Sequence, residues 1–139
     1  ENFRHVLATE ISRTSVASAQ QNLAANAIGN AAVGRMSAEE FSAALKGEKG
    51  GRRVTEMALE AYDFSTVLVD PPRAGLDEAS CRQLSEYSRV VYISCNPDTL
   101  ERNLETLSRT HRVARFALFD QFPWTHHCEC GVLLERKDA

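Results

Sequence analysis

Short apolar runs alternate along the chain with stretches in which apolar residues recur every three or four positions, so strands should alternate with helices. Val6-Leu7-Ala8, within residues 3–10, reads as a buried strand ending in an acid. Thr14 and Ser15 suit a helix N-cap; Val16, Ala19, Leu23 and Ala27 follow at helical spacing, and Gly29 stops the helix. Residues 31–36 form a weak second strand. Ser37 with Glu40 three positions on is a capping-box pattern, opening a helix that buries Phe41 and Leu45. Residues 46–53, rich in glycine and charge, read as an exposed loop, and residues 55–62 as a short helix. Thr66-Val67-Leu68-Val69 is the clearest strand, and the following Pro71 and Pro72 end it. Residues 77–87 read as a helix that buries Leu84, and Val90-Val91-Tyr92-Ile93 as another buried strand. Pro97 suits the first turn of a helix reaching about Ser108, with Leu100, Leu104 and Leu107 on one face. Residues 113–119 and 131–134 are the last strands, joined by an aromatic, His-rich loop.

This order, β-α-β-α-loop-β-α-β-α-β-β, calls for an α/β fold with a mainly parallel, doubly wound sheet. The last two strands have no helix between them and are expected as an antiparallel pair at one edge. The 139 residues suit one domain with one core. A hydrophobic share of 43% and a charged share of 25% are ordinary for a soluble globular protein. No apolar run approaches membrane-spanning length, and the first residues lack a signal-peptide pattern, so a cytoplasmic location is expected. Cys81, Cys95, Cys128 and Cys130 then read as reduced thiols, not as a disulfide framework. A net charge of −3 gives no global reason to bind nucleic acid. Local basic clusters at 46–53 and 109–115, each taken alone, read as solvated faces.

The candidate chemistry lies at strand ends. Glu10, Asp70 and Cys95 each follow an apolar strand, and ligands of open α/β sheets bind outside the carboxyl ends of strands. An acid in the place of Glu10 can accept hydrogen bonds from the ribose of a nucleoside cofactor, or simply sit near a helix N-terminus, where the dipole favours it. Asp70-Pro71-Pro72-Arg73, with Gly75 close behind, is a rigid loop able to hold a carboxylate and a guanidinium in place. Cys95 precedes Asn96-Pro97 and a helix N-terminus, which favours anions, and the thiolate is the reactive form of cysteine. The alternative for this thiol is a small buried hydrophobe. Thr125-His126-His127-Cys128-Glu129-Cys130 invites a zinc reading, but one Cys-x-Cys beside adjacent histidines lacks the spacing of a structural zinc site. No metal is expected.

Together, residues 6–11 (VLATEI), 70–75 (DPPRAG), 93–97 (ISCNP) and 119–134 (FDQFPWTHHCECGVLL) resemble the uracil-C5 RNA methyltransferase family, and its tRNA-modifying members more than its ribosomal-RNA members. The resemblance implies a Rossmann-like methyltransferase fold. It also implies transfer of a methyl group from S-adenosylmethionine to C5 of a T-loop uridine, with the tRNA T-arm as partner. By it, Cys95 is the nucleophile, Glu129 the general base, Glu10 and Asp70 bind S-adenosylmethionine, and Arg73 lies by the target uracil. A flipped uridine would find stacking candidates in Phe119, Phe122 and Trp124, although core packing is the simpler expectation for Phe119.

The family's Gly-rich loop and the strand before it are not in this sequence, so the chain reads as a partial catalytic domain over residues 1–139. The missing strand belongs between those ending at Glu10 and Asp70, and its absence leaves open edges. The chain alone is expected to bind S-adenosylmethionine poorly and to be inactive, closing the gap by rearrangement or self-association. Three other readings stand beside this one. A nicotinamide-dependent oxidoreductase shares the alternating fold but leaves Cys95, Arg73 and Glu129 unexplained. A non-catalytic RNA-binding domain keeps the fold without the chemistry. A thiol hydrolase needs a histidine paired with Cys95.

Overall fold

The computed structural model describes residues 3–47, 59–121, 123–125 and 127–137. Most of the 46–53 loop, the first part of the helix expected at 55–62, Phe122 and His126 fall outside the described residues. The chain forms two compact units, Glu1–Asp63 and Phe64–Ala139.

In the first unit β1 (Val6–Glu10) and β2 (Ala31–Arg35) pair in parallel through α1 (Arg13–Ala25). Ser12, not Thr14 or Ser15, caps α1: its hydroxyl accepts from Ser15 N–H at 3.3 Å, so the helix starts earlier than the sequence suggests. The helix ends at Ala25, before Gly29, because Ala27 itself turns to φ 52. The capping box at Ser37 closes in both directions and opens α2 (Ala38–Leu45). Phe41 is only half-buried and Leu45 is 40% exposed, so the expected burial of this face is not reached. A two-stranded sheet offers too little surface to cover two helices, and among the described residues the buried apolar ones here are Val16 and Met36. From 59 onward the expected helix is a single 3₁₀ turn, Leu59–Ala61.

The second unit is a mixed sheet in the order β3-β4-β6-β5. β3 (Thr66–Val69) pairs in parallel with β4 (Arg89–Ser94). β6 (Glu129–Arg136) inserts antiparallel between β4 and β5 (His111–Phe119). The hairpin expected at one edge is therefore present, with β5 outermost and β6 interior. Alternation decides the faces: Val90 and Tyr92 of β4 and Cys130, Val132 and Leu134 of β6 point to one side and are buried. Two helices cover that side. α3 (Glu78–Leu84) contributes Cys81 and Leu84, and α4 (Pro97–Leu107) contributes Leu100 and Leu107. At the end of the sheet the buried His111 donates from Nε2 to the Tyr87 carbonyl and accepts at Nδ1 from Thr110 Oγ1, each at 2.9 Å. A carbonyl can only accept, which fixes the tautomer.

Leu107 is fully buried beneath the sheet. Leu107→Ala is expected to destabilise the second unit by about 2–5 kcal/mol, the cost of a core cavity. Urea unfolding followed by circular dichroism measures it.

Candidate active site

The second unit brings four of the sequence's candidates to one edge of its sheet. β3 and β4 run in the same direction, so their carboxyl ends, leading to Asp70 and Cys95, emerge side by side. β6 runs the other way and begins at that edge with Glu129. The β4–β6 ladder ends at Ser94↔Cys130, one step before Cys95 and Glu129. Facing residues of an antiparallel pair stand about 4.5–5.5 Å apart at Cα. Glu129 and Phe119 lie on the face away from the helices, and Cys95 is the first residue after β4, in the bend that leads to the next helix. Cys95 and Glu129 are both half-buried.

Local bonds hold Cys95 in its bend. Ser94 Oγ donates to the Asn96 carbonyl at 3.0 Å and accepts from Asn96 N–H at 3.2 Å, bracketing the cysteine. Asn96 then caps α4 by accepting from Asp98 N–H at 3.2 Å, with Pro97 in the first turn. The thiol so stands directly before a helix N-terminus, as the sequence suggests. The other cysteines differ. Cys81 and Cys130 are each 1% exposed, and burial pushes both thiols up from their ordinary range. Cys128 is half-buried.

Arg73 occupies a β-turn closed by Gly75 N–H donating to the Pro72 carbonyl at 2.8 Å. Gly75 takes φ +75, where a side chain is strained. The side chains of Asp70 and Arg73 are exposed. Phe119 is 47% exposed rather than packed in the core, and its ring edge crosses Gly131, where a Cβ would lie 3.4 Å from it. β5 is the outermost strand of this sheet. Trp124, in the β5–β6 loop, is fully exposed.

Glu10 belongs to the first unit. Its Oε1 accepts from Ser12 N–H at 2.7 Å, so the carboxylate steadies the turn into α1, the local role open to an acid in that position. Among the described residues no group of three or more His, Cys, Asp and Glu could hold a metal ion, and no helix is long and apolar enough to cross a membrane.

One residue beside the candidate site escaped the sequence reading. Asn103 is 5% exposed on the apolar stripe of α4 and bonds the main chain of Leu76, beside the Arg73 turn. Its signal was visible: an amide stands at the buried spacing of Leu100 and Leu107.

Thiol accessibility follows from these burials. With excess Ellman's reagent, Cys95 and Cys128 are expected to react in the native protein, and Cys81 and Cys130 only on unfolding. Peptide mass mapping of the labelled sites reads this out.

The family model described as tRNA (Uracil-5-)-methyltransferase matches residues 1–137. A tRNA/tmRNA (uracil-C(5))-methyltransferase of Chromohalobacter salexigens is 74% identical over 137 residues, covering 99% of this chain and 37% of the relative. One of Aeromonas salmonicida is 57% identical, again over 99% of this chain and 36% of the relative. The chain thus spans a little over a third of the length of these curated relatives. Among solved structures, the Pyrococcus abyssi tRNA (uracil-54, C5)-methyltransferase in complex with S-adenosyl-L-homocysteine superposes with a TM-score of 0.68 at 26% identity, covering 94% of this chain and 28% of that one. A precorrin-6y C5,15-methyltransferase of Geobacter metallireducens, 12% identical with a TM-score of 0.62, shares the fold. By sequence and by fold, this chain belongs to the tRNA (uracil-5-)-methyltransferase family.

Proposed function

We propose that this chain carries the methyl-transfer centre of an enzyme that methylates C5 of a T-loop uridine in tRNA, working in the cytoplasm with S-adenosylmethionine as donor. The observation that carries this reading is the β4–β6 register, which brings a thiol and a carboxylate to one edge of the sheet, each one step beyond the last pair of that ladder. The acceptors available suit the donor molecule, whose ribose hydroxyls and ammonium are hydrogen-bond donors. Asp70 is an exposed carboxylate at a strand's carboxyl end, and Glu10 has a second oxygen beside the one that Ser12 engages. When bound, S-adenosylmethionine supplies a methyl group activated by a sulfonium.

The chain's own residues do the rest. C5 of uracil is a poor nucleophile. The Cys95 thiolate adds to C6, the C5–C6 electron pair moves into the ring carbonyl as an enolate, and C5 becomes nucleophilic. Arg73 stabilises the developing charge at a uracil oxygen. After C5 has taken the methyl group, Glu129 removes the C5 proton. The electrons of that C–H bond re-form C5–C6 and expel the thiolate. Each residue thus completes a step that the next requires.

The test uses this chain in place of the matching third of the Chromohalobacter salexigens relative, with S-adenosylmethionine and a T-arm RNA carrying 5-fluorouridine at the target. Fluorine at C5 leaves no proton for Glu129 to take, so an adduct on the Cys95 peptide is expected in denaturing mass spectrometry. A folded protein that binds both ligands yet forms no adduct would remove Cys95 from this role and favour a non-catalytic RNA-binding domain. With ordinary uridine, Glu129→Gln is expected to slow turnover by about 10²–10⁴-fold while the methylated adduct accumulates. Rapid-quench gel analysis separates this from a failure of addition, in which no adduct forms.

A further inference from the structure

The Arg73 turn is not held by its own sequence alone. α4 grips it with four side chains. The Arg73 carbonyl accepts from Asn96 Nδ2 at 3.1 Å, and it shares the single hydroxyl proton of Thr99, 3.2 Å away, with the Asn96 carbonyl at 3.0 Å. The Ala74 carbonyl accepts from Arg102 Nη2 at 2.8 Å. Asn103 takes both main-chain groups of Leu76: Oδ1 accepts from Leu76 N–H at 2.9 Å, and Nδ2 donates to the Leu76 carbonyl at 2.8 Å. This double exchange imitates the pairing of a neighbouring strand. The contact is close, since a Cβ on Gly75 would lie 2.8 Å from Asn103 Oδ1 and 3.0 Å from Thr99 Cβ.

Asn103 also reaches the strand that carries the thiol. Tyr92 donates its hydroxyl to Asn103 Oδ1 at 2.7 Å, and Tyr92 lies three residues before Cys95 on β4. The Tyr92 side chain is fully buried, and burial pushes its hydroxyl up to about 12, so it stays protonated and donating at neutral pH. One amide therefore ties together three segments: the strand leading to Cys95, the helix beginning just after it, and the loop bearing Arg73. A leucine on this stripe of α4 would satisfy packing. The buried amide instead bonds a loop whose own side chain, Arg73, is left exposed.

We propose that Asn103 is a positioning residue for uracil C5 methylation: it fixes the Arg73 turn relative to Cys95, so that guanidinium and thiolate act on one ring. This rests on the function proposed above. Asn103 touches neither substrate nor cofactor and works through Arg73.

The test measures the rate of the Cys95 adduct with 5-fluorouridine RNA at saturating S-adenosylmethionine, in the same full-length chimera. Four proteins are compared: parent, Asn103→Leu, Arg73→Ala and the double variant. Asn103→Leu is expected to slow adduct formation on the order of 10²-fold, as misplacement by about 1 Å does elsewhere. The dissociation constant for S-adenosylmethionine should stay within about twofold of the parent's. In the Arg73→Ala background the effect of Asn103→Leu should vanish, because the residue it positions is gone. A merely structural role predicts the opposite, the same loss in both backgrounds, and that result overturns the proposal. So does an Asn103→Leu rate within about twofold of the parent, the spread expected of independent sites. No adduct in the parent defeats the reading of Cys95 itself, and the positioning role with it; an active parent with an unaffected variant defeats the positioning role only. Should Asn103→Leu not fold, Arg102→Ala decides, since it removes the bond to the Ala74 carbonyl of the same turn outside the core: a rate loss confined to the Arg73-containing background supports the proposal, and no loss overturns it.

Discussion

The antiparallel ladder between β4 and β6 is the contact on which the second unit depends. Its register, from Arg89↔Glu135 to Ser94↔Cys130, turns Val90, Tyr92, Cys130, Val132 and Leu134 together toward α3 and α4. A slip of one residue would turn one strand's apolar set to the opposite face. It would also part Glu129 from Cys95. Core and candidate site therefore rest on a single register, and the burial that enforces the first maintains the second.

Around this ladder, main chain and side chain have separate duties. The bend at Cys95 is closed by Ser94 and Asn96, and the turn at Arg73 by Asn96, Thr99, Arg102 and Asn103. The groups with candidate chemistry take no part in these closures. Such a division suits a site whose reactive side chains must be free to meet a ligand while their backbone stays still. It carries no exposed cost in the core. Among the described residues no buried side-chain nitrogen or oxygen lacks a partner, Asn103 and His111 included.

The first unit is built on a narrower base. A β-α-β crossover with two strands buries Val16 and Met36 but leaves Val6, Ile11 and Ile28 largely open. Parallel strands are usually covered on both faces, so this pair is short of apolar cover. Glu10 shows how a functional candidate and a local fold requirement share one side chain: one oxygen serves the entry to α1, and the other remains as an acceptor for the role proposed.

Where signals are local, the sequence was legible. The capping box at Ser37, the strand at Thr66–Val69 and the Pro97 helix start are each set by neighbours within a few residues, and each stands where it was expected. Errors arose where tertiary context decides. Ser12 won the α1 cap because Glu10 braces its N–H, and Leu45 stayed exposed because a two-stranded sheet cannot cover it. Residue types and nearby prolines marked Asp70, Arg73 and Cys95 as candidates without any partner, and the resemblance of residues 119–134 to the family marked Glu129. The insertion of β6 between β4 and β5, the step that brings Glu129 to the sheet edge that Cys95 follows, could not be read from the chain. Neither could the grip of Asn103 on Leu76. Both join segments 27 or more residues apart, and pairing over such separations is fixed by the packing of whole elements, not by the preferences of neighbouring residues.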